Sequence, residues 1–394
     1  MTEPTPATSH AATSPARRRR LVIAAASAAA ALVVIGVPAA AFGLTGALGH
    51  GPAANAPMSA IKFHPGNAAE AAGSGSTVEA TAAASPAADY HAYVALAGGY
   101  SVAEVDVASD TIIADKISAD SPEGVAVTPD GGTVYVAQTG QYSVIAVDAS
   151  TGTETPIEVG PYPQDVAVSP DGSQVYATVT GSDTGPGGSG VLAVIDTASN
   201  TVTKDITVGS GPRQVVFSPD GTRAYVTTET GVAVIDTASG QVARTVPDPA
   251  GPQGIAVSPD GKTLYVTNPN AGDLWVVNAA TGQVTARVPA GAEPYAVAVS
   301  PDGSRAYVTD MNSDSVSVIS TAGLHTVARV AVGRLPGSVA VTPDGSQVWV
   351  GNNLTGDISV INPATDTVSA TISGGTGTAT LLAAPLGIAF TPAG

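Results

Sequence analysis

Cysteine is missing altogether from the 394 residues. Neither a disulfide framework, nor a thiolate nucleophile, nor a Cys-bound metal is therefore available, and an exported domain made from this chain must stay closed by packing and hydrogen bonding. Histidine occurs five times, and His10, His50 and His64 precede the region that reads as folded. The usual general base and axial haem ligand is thus scarce where chemistry would need it. Positive charge is scarce too. Residues 90–394 carry 10 Lys and Arg against 28 Asp and Glu, a net of −18. Such a body repels polyanions and lacks the basic patch from which nucleic-acid binding starts, so nucleic acid is not an expected partner. Aromatic side chains make up 4% of the chain, which makes any aromatic residue recurring at fixed spacing informative.

The N-terminus reads as an export segment. Residues 1–20 end in the basic run Arg17 to Arg20, and an uncharged stretch rich in Ala, Val, Leu and Ile extends from Leu21 to Gly49. Positive charge stays on the cytoplasmic side, so the chain beyond the apolar stretch is expected outside. Residues 21–43 are a signal peptide or a signal anchor: Ala39-Ala40-Ala41 offers small residues for cleavage, and Leu21 to Phe42 is long enough to span a bilayer uncleaved. Residues 44–88 are dominated by Ala, Gly, Ser and Pro, a composition that buries too little apolar surface to fix itself, and they read as a disordered tether. The membrane is expected to be touched only through the N-terminal segment.

From residue 89 the chain repeats. Pro-Asp-Gly begins at Pro129, Pro170, Pro219, Pro259, Pro301 and Pro343, and a degenerate Pro-Ala-Gly begins at Pro392, at spacings of 41, 49, 40, 42, 42 and 49 residues. An aromatic-led strand accompanies each turn: YVAL at Tyr93, YVAQ at Tyr135, YATV at Tyr176, YVTT at Tyr225, YVTN at Tyr265, YVTD at Tyr307 and WVGN at Trp349. Within a unit, alternating Val, Ile and Ala mark four short strands separated by turn residues. Pro presets φ at the first corner of the turn, Asp bonds nearby N–H groups and Gly accepts positive φ. The Asp-Thr-Ala-Ser segments at Asp196 and Asp236 serve the turn between the third and fourth strands. Units of this size cannot bury both faces alone, and seven of them close radially. The expectation is an all-β, seven-bladed β-propeller of four-stranded blades over residues 89–394. The chain starts on the second strand type and ends, in PLGIAFTPAG, on the first, so the C-terminal strand should pair into the first blade and hide two sheet edges.

These repeats resemble the YVTN-family β-propeller repeats of exported bacterial and archaeal proteins, over roughly Tyr90 to Gly394. The resemblance implies the fold and an extracytoplasmic setting. Related propellers include lactonases, a streptogramin lyase, quinoprotein dehydrogenases and the haem domain of some nitrite reductases, so it does not choose a chemistry.

Candidate sites come from departures from the repeat. Each first strand opens with Pro and then a residue that does not repeat: Glu123, Gln164, Arg213, Gln253, Tyr295, Gly337 and Leu386. Those seven should ring the channel mouth, on the face whose loops vary, and their mixture suits a small polar ligand or a protein loop. Two loops, Thr180 to Gly190 and Ser373 to Pro385, are lengthened and Gly-rich, and Asp183, Glu229, Asp273, Asp310, Asp314 and Asp357 give the same face acidic character. Asp310, Asn312 and Asp314 have the one-three-five spacing of a calcium loop, so Ca2+ is the one cofactor weighed. Yet Ser315 replaces the turn glycine and Thr321 the bidentate Glu, which favours a plain hairpin loop. His91 and His325 are not placed to converge, and Lys116, Lys204 and Lys262 read as strand or turn positions, so no catalytic constellation emerges. The reading is an extracytoplasmic ligand- or protein-binding scaffold. The alternative is a divalent-metal-dependent hydrolase or lyase of the lactonase type acting at the channel mouth.

Overall fold

Alternating apolar positions let a blade bury both of its faces against neighbours, and the computed structural model builds 28 strands into seven four-stranded antiparallel sheets. The structure describes residues 90–181, 189–248, 250–373 and 384–392. The expectations for residues 1–89, the middles of the two lengthened loops with Asp183, and the end of the degenerate Pro-Ala-Gly turn lie outside the described residues. Among the described residues no helix is long and apolar enough to cross a membrane.

Blade 1 combines Pro385–Phe390 with His91–Leu96, Ser101–Asp106 and Thr111–Ser118, in that order. Blades 2 to 7 run along the chain as residues 122–158, 163–209, 215–247, 255–289, 294–331 and 336–373. Closure is as expected from the chain ends. Pro385–Phe390 pairs antiparallel with His91–Leu96, with Ala92 opposite Phe390 and Val94 opposite Ile388. Thr391 extends the clasp, its Oγ1 accepting from the His91 N–H at 3.0 Å and its own N–H donating to the His91 carbonyl at 2.9 Å. The first strands touch their neighbours all the way round, from 122–127 through 336–341 and back through 385–390, so they enclose the axis.

The core lies between blades. Seven buried clusters each join two neighbouring blades, and the recurring aromatic residue is the piece that crosses. Tyr265 of blade 5, for example, packs with Val288 against Ala306 and Val308 of blade 6. Tyr135, Tyr176, Tyr225, Tyr307 and Trp349 are all but fully buried. Seven of the 17 aromatic residues therefore sit at the seven inter-blade seams, and cutting one back to alanine is expected to cost about 3–5 kcal/mol.

The opposite face carries the uniform turns. In blade 5 the Ser258 hydroxyl donates to Asp260 Oδ1 at 2.6 Å, the Lys262 N–H donates to the same oxygen at 3.1 Å, and Gly261 takes φ +71°. These bonds hold the Asp260 carboxyl down to about 2, the Ser258 hydroxyl contributing most. Asp196 caps its turn likewise, accepting from the Ser199 N–H at 2.8 Å and hydroxyl at 2.7 Å. Repetition of such caps in successive blades is what a structural role predicts.

Candidate functional site

In three blades the residue after the first-strand proline is held at the channel rim by a hydroxyl staple. Thr178 Oγ1 of blade 3 donates to the Arg213 carbonyl of blade 4 at 2.8 Å. Thr227 donates to the Gln253 carbonyl at 2.9 Å, and Thr267 to the Tyr295 carbonyl at 2.6 Å. The same hydroxyls accept a first-strand N–H of their own blade, from Asp165 at 2.9 Å, Gln214 at 3.1 Å and Gly254 at 2.7 Å. Each threonine thus locks the backbone of two blades next to a rim side chain. Where the repeat lacks it, another hydroxyl substitutes: Thr139 reaches the Pro163 carbonyl and Ser338 the Pro385 carbonyl, both at 2.8 Å.

Four of the five rim residues singled out by spacing are brought together. The Arg213 guanidinium donates to Gln253 Oε1, and the Gln253 side chain also hydrogen-bonds Tyr295. Burial raises the Tyr295 hydroxyl, the Arg213 charge draws it back down, and the charge of Glu123 from blade 2 pushes it up. Residues of blades 2, 4, 5 and 6 therefore share one electrostatic environment. Burial pushes Glu123 up to about 7, with the Thr139 hydroxyl opposing and the Asp165 charge adding to the rise. Gln164, the fifth, is half-buried next to Pro163. Leu386 is half-buried on the closing strand, and Gly337 is covered: a Cβ there would lie 2.2 Å from Asn353 Nδ2.

Two site residues were not found from spacing. Asp165 comes directly after Gln164, where the other blades have Gly124, Gln214, Gly254, Ala296, Ser338 and Gly387. A lone carboxylate in that series was the available signal. Its Oδ2 accepts from the Val215 N–H at 2.9 Å, its Oδ1 lies against Gly124, and burial pushes it up to about 7. Asn353 enters the space over Gly337 from another part of its blade, which no spacing rule reveals. Among the described residues, Glu123 Oε1, Arg213 Nε and Asn353 Oδ1 are buried with no hydrogen-bond partner. Below the rim lies a cavity of about 480 Å³ with a mixed lining, in which Val216, Phe217 and Val257 stand beside Gln214, Ser218 and Ser258.

Asp310, Asn312 and Asp314 each engage a different partner. Asp310 is fully buried at the last position of its strand, where it accepts from the Gly291 N–H at 2.8 Å and the Ser317 hydroxyl at 2.7 Å. Burial raises its carboxyl, the Ser317 and Gly291 bonds opposing. Gln138 and Asn352 occupy the same position in blades 2 and 7 and are likewise buried and hydrogen-bonded. Asn312 donates to Glu293, and Asp314, at φ +48°, accepts from the Leu335 N–H at 2.9 Å. Among the described residues no group of three or more His, Cys, Asp or Glu side chains is placed to hold a metal ion.

Comparison with known proteins agrees with this architecture. The family described as Lactonase, 7-bladed beta-propeller matches residues 194–326. No curated protein matches the chain. Among solved structures, a chain of Kuenenia stuttgartiensis hydrazine synthase is 25% identical, covering 74% of this chain and 100% of that one with a TM-score of 0.62. A functionally unknown protein from Desulfotomaculum acetoxidans is 16% identical over 77% of this chain and 99% of that one, at a TM-score of 0.65. The dihydro-heme d1 dehydrogenase NirN, solved in complex with DHE, is 18% identical over 73% and 64%, at 0.57. The two weaker identities speak for the fold alone.

Proposed function

We propose that this chain is an extracytoplasmic binding propeller that takes a small polar ligand at its channel mouth. The observation that carries the reading is the convergence of Glu123, Arg213, Gln253 and Tyr295 from four blades, with Glu123 Oε1 and Arg213 Nε buried and unpartnered. A buried polar atom without a partner costs roughly 1–3 kcal/mol, so a ligand that supplies both bonds recovers that amount at each. Arg213 calls for an oxyanion. Glu123, with its carboxyl near 7, donates to a ligand oxygen below neutrality and repels an anion above it. A small hydroxy- or amino-carboxylate meets both demands. The external setting rests on the basic and apolar N-terminal run.

Thermal melts of the full-length chain against a panel of small organic acids, amino acids and sugars test the reading, because a ligand that binds only the folded state raises the melting temperature. A shift with a small carboxylate, lost in Arg213→Met and Glu123→Gln, supports it. A panel without any shift refutes it. The second reading, a divalent-metal-dependent hydrolase or lyase at the same mouth, is favoured by the lactonase-family match, which spans Arg213, Gln253 and Tyr295. It requires in addition a melting shift with calcium or magnesium that EDTA reverses.

A further inference from the structure

The same loop face carries a second feature away from the channel mouth. Tyr100, Tyr142 and Tyr162 are 61%, 43% and 39% exposed, whereas the seven aromatic residues of the repeat are buried at seams between blades. All three sit in the left-handed region, at φ +52°, +59° and +56°, where a non-glycine residue is disfavoured. Tyr100 and Tyr142 each immediately precede a third strand, where blades 5 and 7 have Gly272 and Gly356. Tyr162 immediately precedes a first-strand proline, where blades 4 and 5 have Gly211 and Gly251. The same left-handed positions hold Ser121, Glu293, Asp314 and Leu335 in other blades, and blades 1 to 3 place exposed tyrosine at three of them. The Tyr142 and Tyr162 rings meet edge to face, with centroids 5.2 Å apart.

The folded body as a whole is acidic, with 28 Asp and Glu against 10 Lys and Arg over residues 90–394. Two of the carboxylates flank the tyrosines. Asp120 adjoins both tyrosine loops: the Ala119 N–H donates to the Tyr100 carbonyl at 3.0 Å, the Gly140 N–H donates to the Asp120 carbonyl at 3.3 Å, and the Asp120 carboxyl lies against Gly140. Glu158 is exposed and pairs with Ser143, the residue after Tyr142.

We infer that the loop face of blades 1 to 3 docks a basic segment of a partner protein, its Lys or Arg side chains lying over the tyrosine rings and pairing with Asp120 and Glu158. Aromatic faces attract cations, and Arg in particular stacks on them. Asp120 and Glu158, on a body whose net charge is strongly negative, select the positive partner and speed its approach. This docking surface is independent of the small-ligand site at the channel mouth.

The test uses the full-length chain and a fluorescent oligo-arginine peptide, with an oligo-glutamate peptide of equal length and a neutral oligosaccharide as competitors. Tyr142→Ala and Tyr162→Ala are expected to weaken oligo-arginine binding about threefold each and about tenfold together, whereas the corresponding Phe variants keep it. Asp120→Asn and Glu158→Gln should weaken binding and flatten its salt dependence, and Glu293→Gln on blade 6 should not. Tyr100→Gly guards against misfolding as the cause, because the left-handed site accepts glycine: it should lose affinity without a lower melting temperature. Equal binding by parent and Tyr→Ala variants, an equal loss in Glu293→Gln, or displacement of the peptide by the neutral oligosaccharide overturns the inference.

Discussion

Replacing Thr267 by valine should loosen the ring at a predictable cost. The side chain is fully buried, and its hydroxyl donates to the Tyr295 carbonyl at 2.6 Å while accepting the Gly254 N–H at 2.7 Å. Valine keeps the shape and removes both bonds, leaving an N–H of blade 5 and weakening a carbonyl of blade 6 in a site closed to water. At roughly 1–3 kcal/mol for each stranded group, the loss is about 2–4 kcal/mol. For a body of roughly 300 residues, whose unfolding entropy is about 0.6 kcal/mol/K, that is a fall in melting temperature of about 3–6 °C. Thr267→Ser retains the hydroxyl and should fall by about 2 °C or less. Differential scanning calorimetry of the three proteins reads the difference. A valine variant within about 1 °C of the parent, or a serine variant that falls as far as the valine one, refutes the staple as a source of stability.

The geometry leads to three further outcomes. Glu123 and Asp165 are raised to about 7 in the folded chain, above the ordinary carboxylate range, so the folded state holds more protons than the unfolded one between about pH 4 and 7. Their contribution to stability is full below that window and is lost as pH rises through about 7; Glu123→Gln should therefore melt a few degrees above the parent at pH 8 and level with it near pH 4, as measured by circular dichroism. Truncation before Pro385 removes the closing strand and bares the edge of His91–Leu96, so the shortened chain should lose its cooperative melt and elute as aggregate in size-exclusion chromatography. Asp310→Leu strands the Gly291 N–H and the Ser317 hydroxyl and should cost about 2–4 kcal/mol in a urea titration, whereas Asp310→Asn, which keeps an acceptor, should cost clearly less.

The architecture was legible because its constraints are local and repeated. Pro-Asp-Gly marks a turn whose backbone demands those residues, and an aromatic-led strand recurs because each blade needs one large side chain to fill the seam with the next. The clasp could be read from the strand types at the two ends of the chain. Counting from the prolines placed Glu123, Arg213, Gln253 and Tyr295 at one rim, since a closed ring converts equal offsets in sequence into neighbours around an axis. What escaped depends on contacts between blades. Thr178, Thr227 and Thr267 look like ordinary strand residues until the carbonyl of the next blade is in view. Asn353 stands in for a side chain that Gly337 lacks, from the loop after the next strand of the same blade. Asp310, Asn312 and Asp314 illustrate the converse: a buried cap at a strand end and a left-handed turn residue beyond it produce the spacing of a calcium loop while directing each side chain to a different partner.

The proposed binding site is tested most directly by a crystal structure of the full-length chain with the small carboxylate that gives the largest melting shift. The account predicts that its carboxylate lies within hydrogen-bond distance of Arg213 Nε and that a ligand oxygen or nitrogen bonds Glu123 Oε1, at the rim formed by blades 2, 4, 5 and 6. A compound seated in the channel beside Phe217, or on the loops away from the rim, would contradict it.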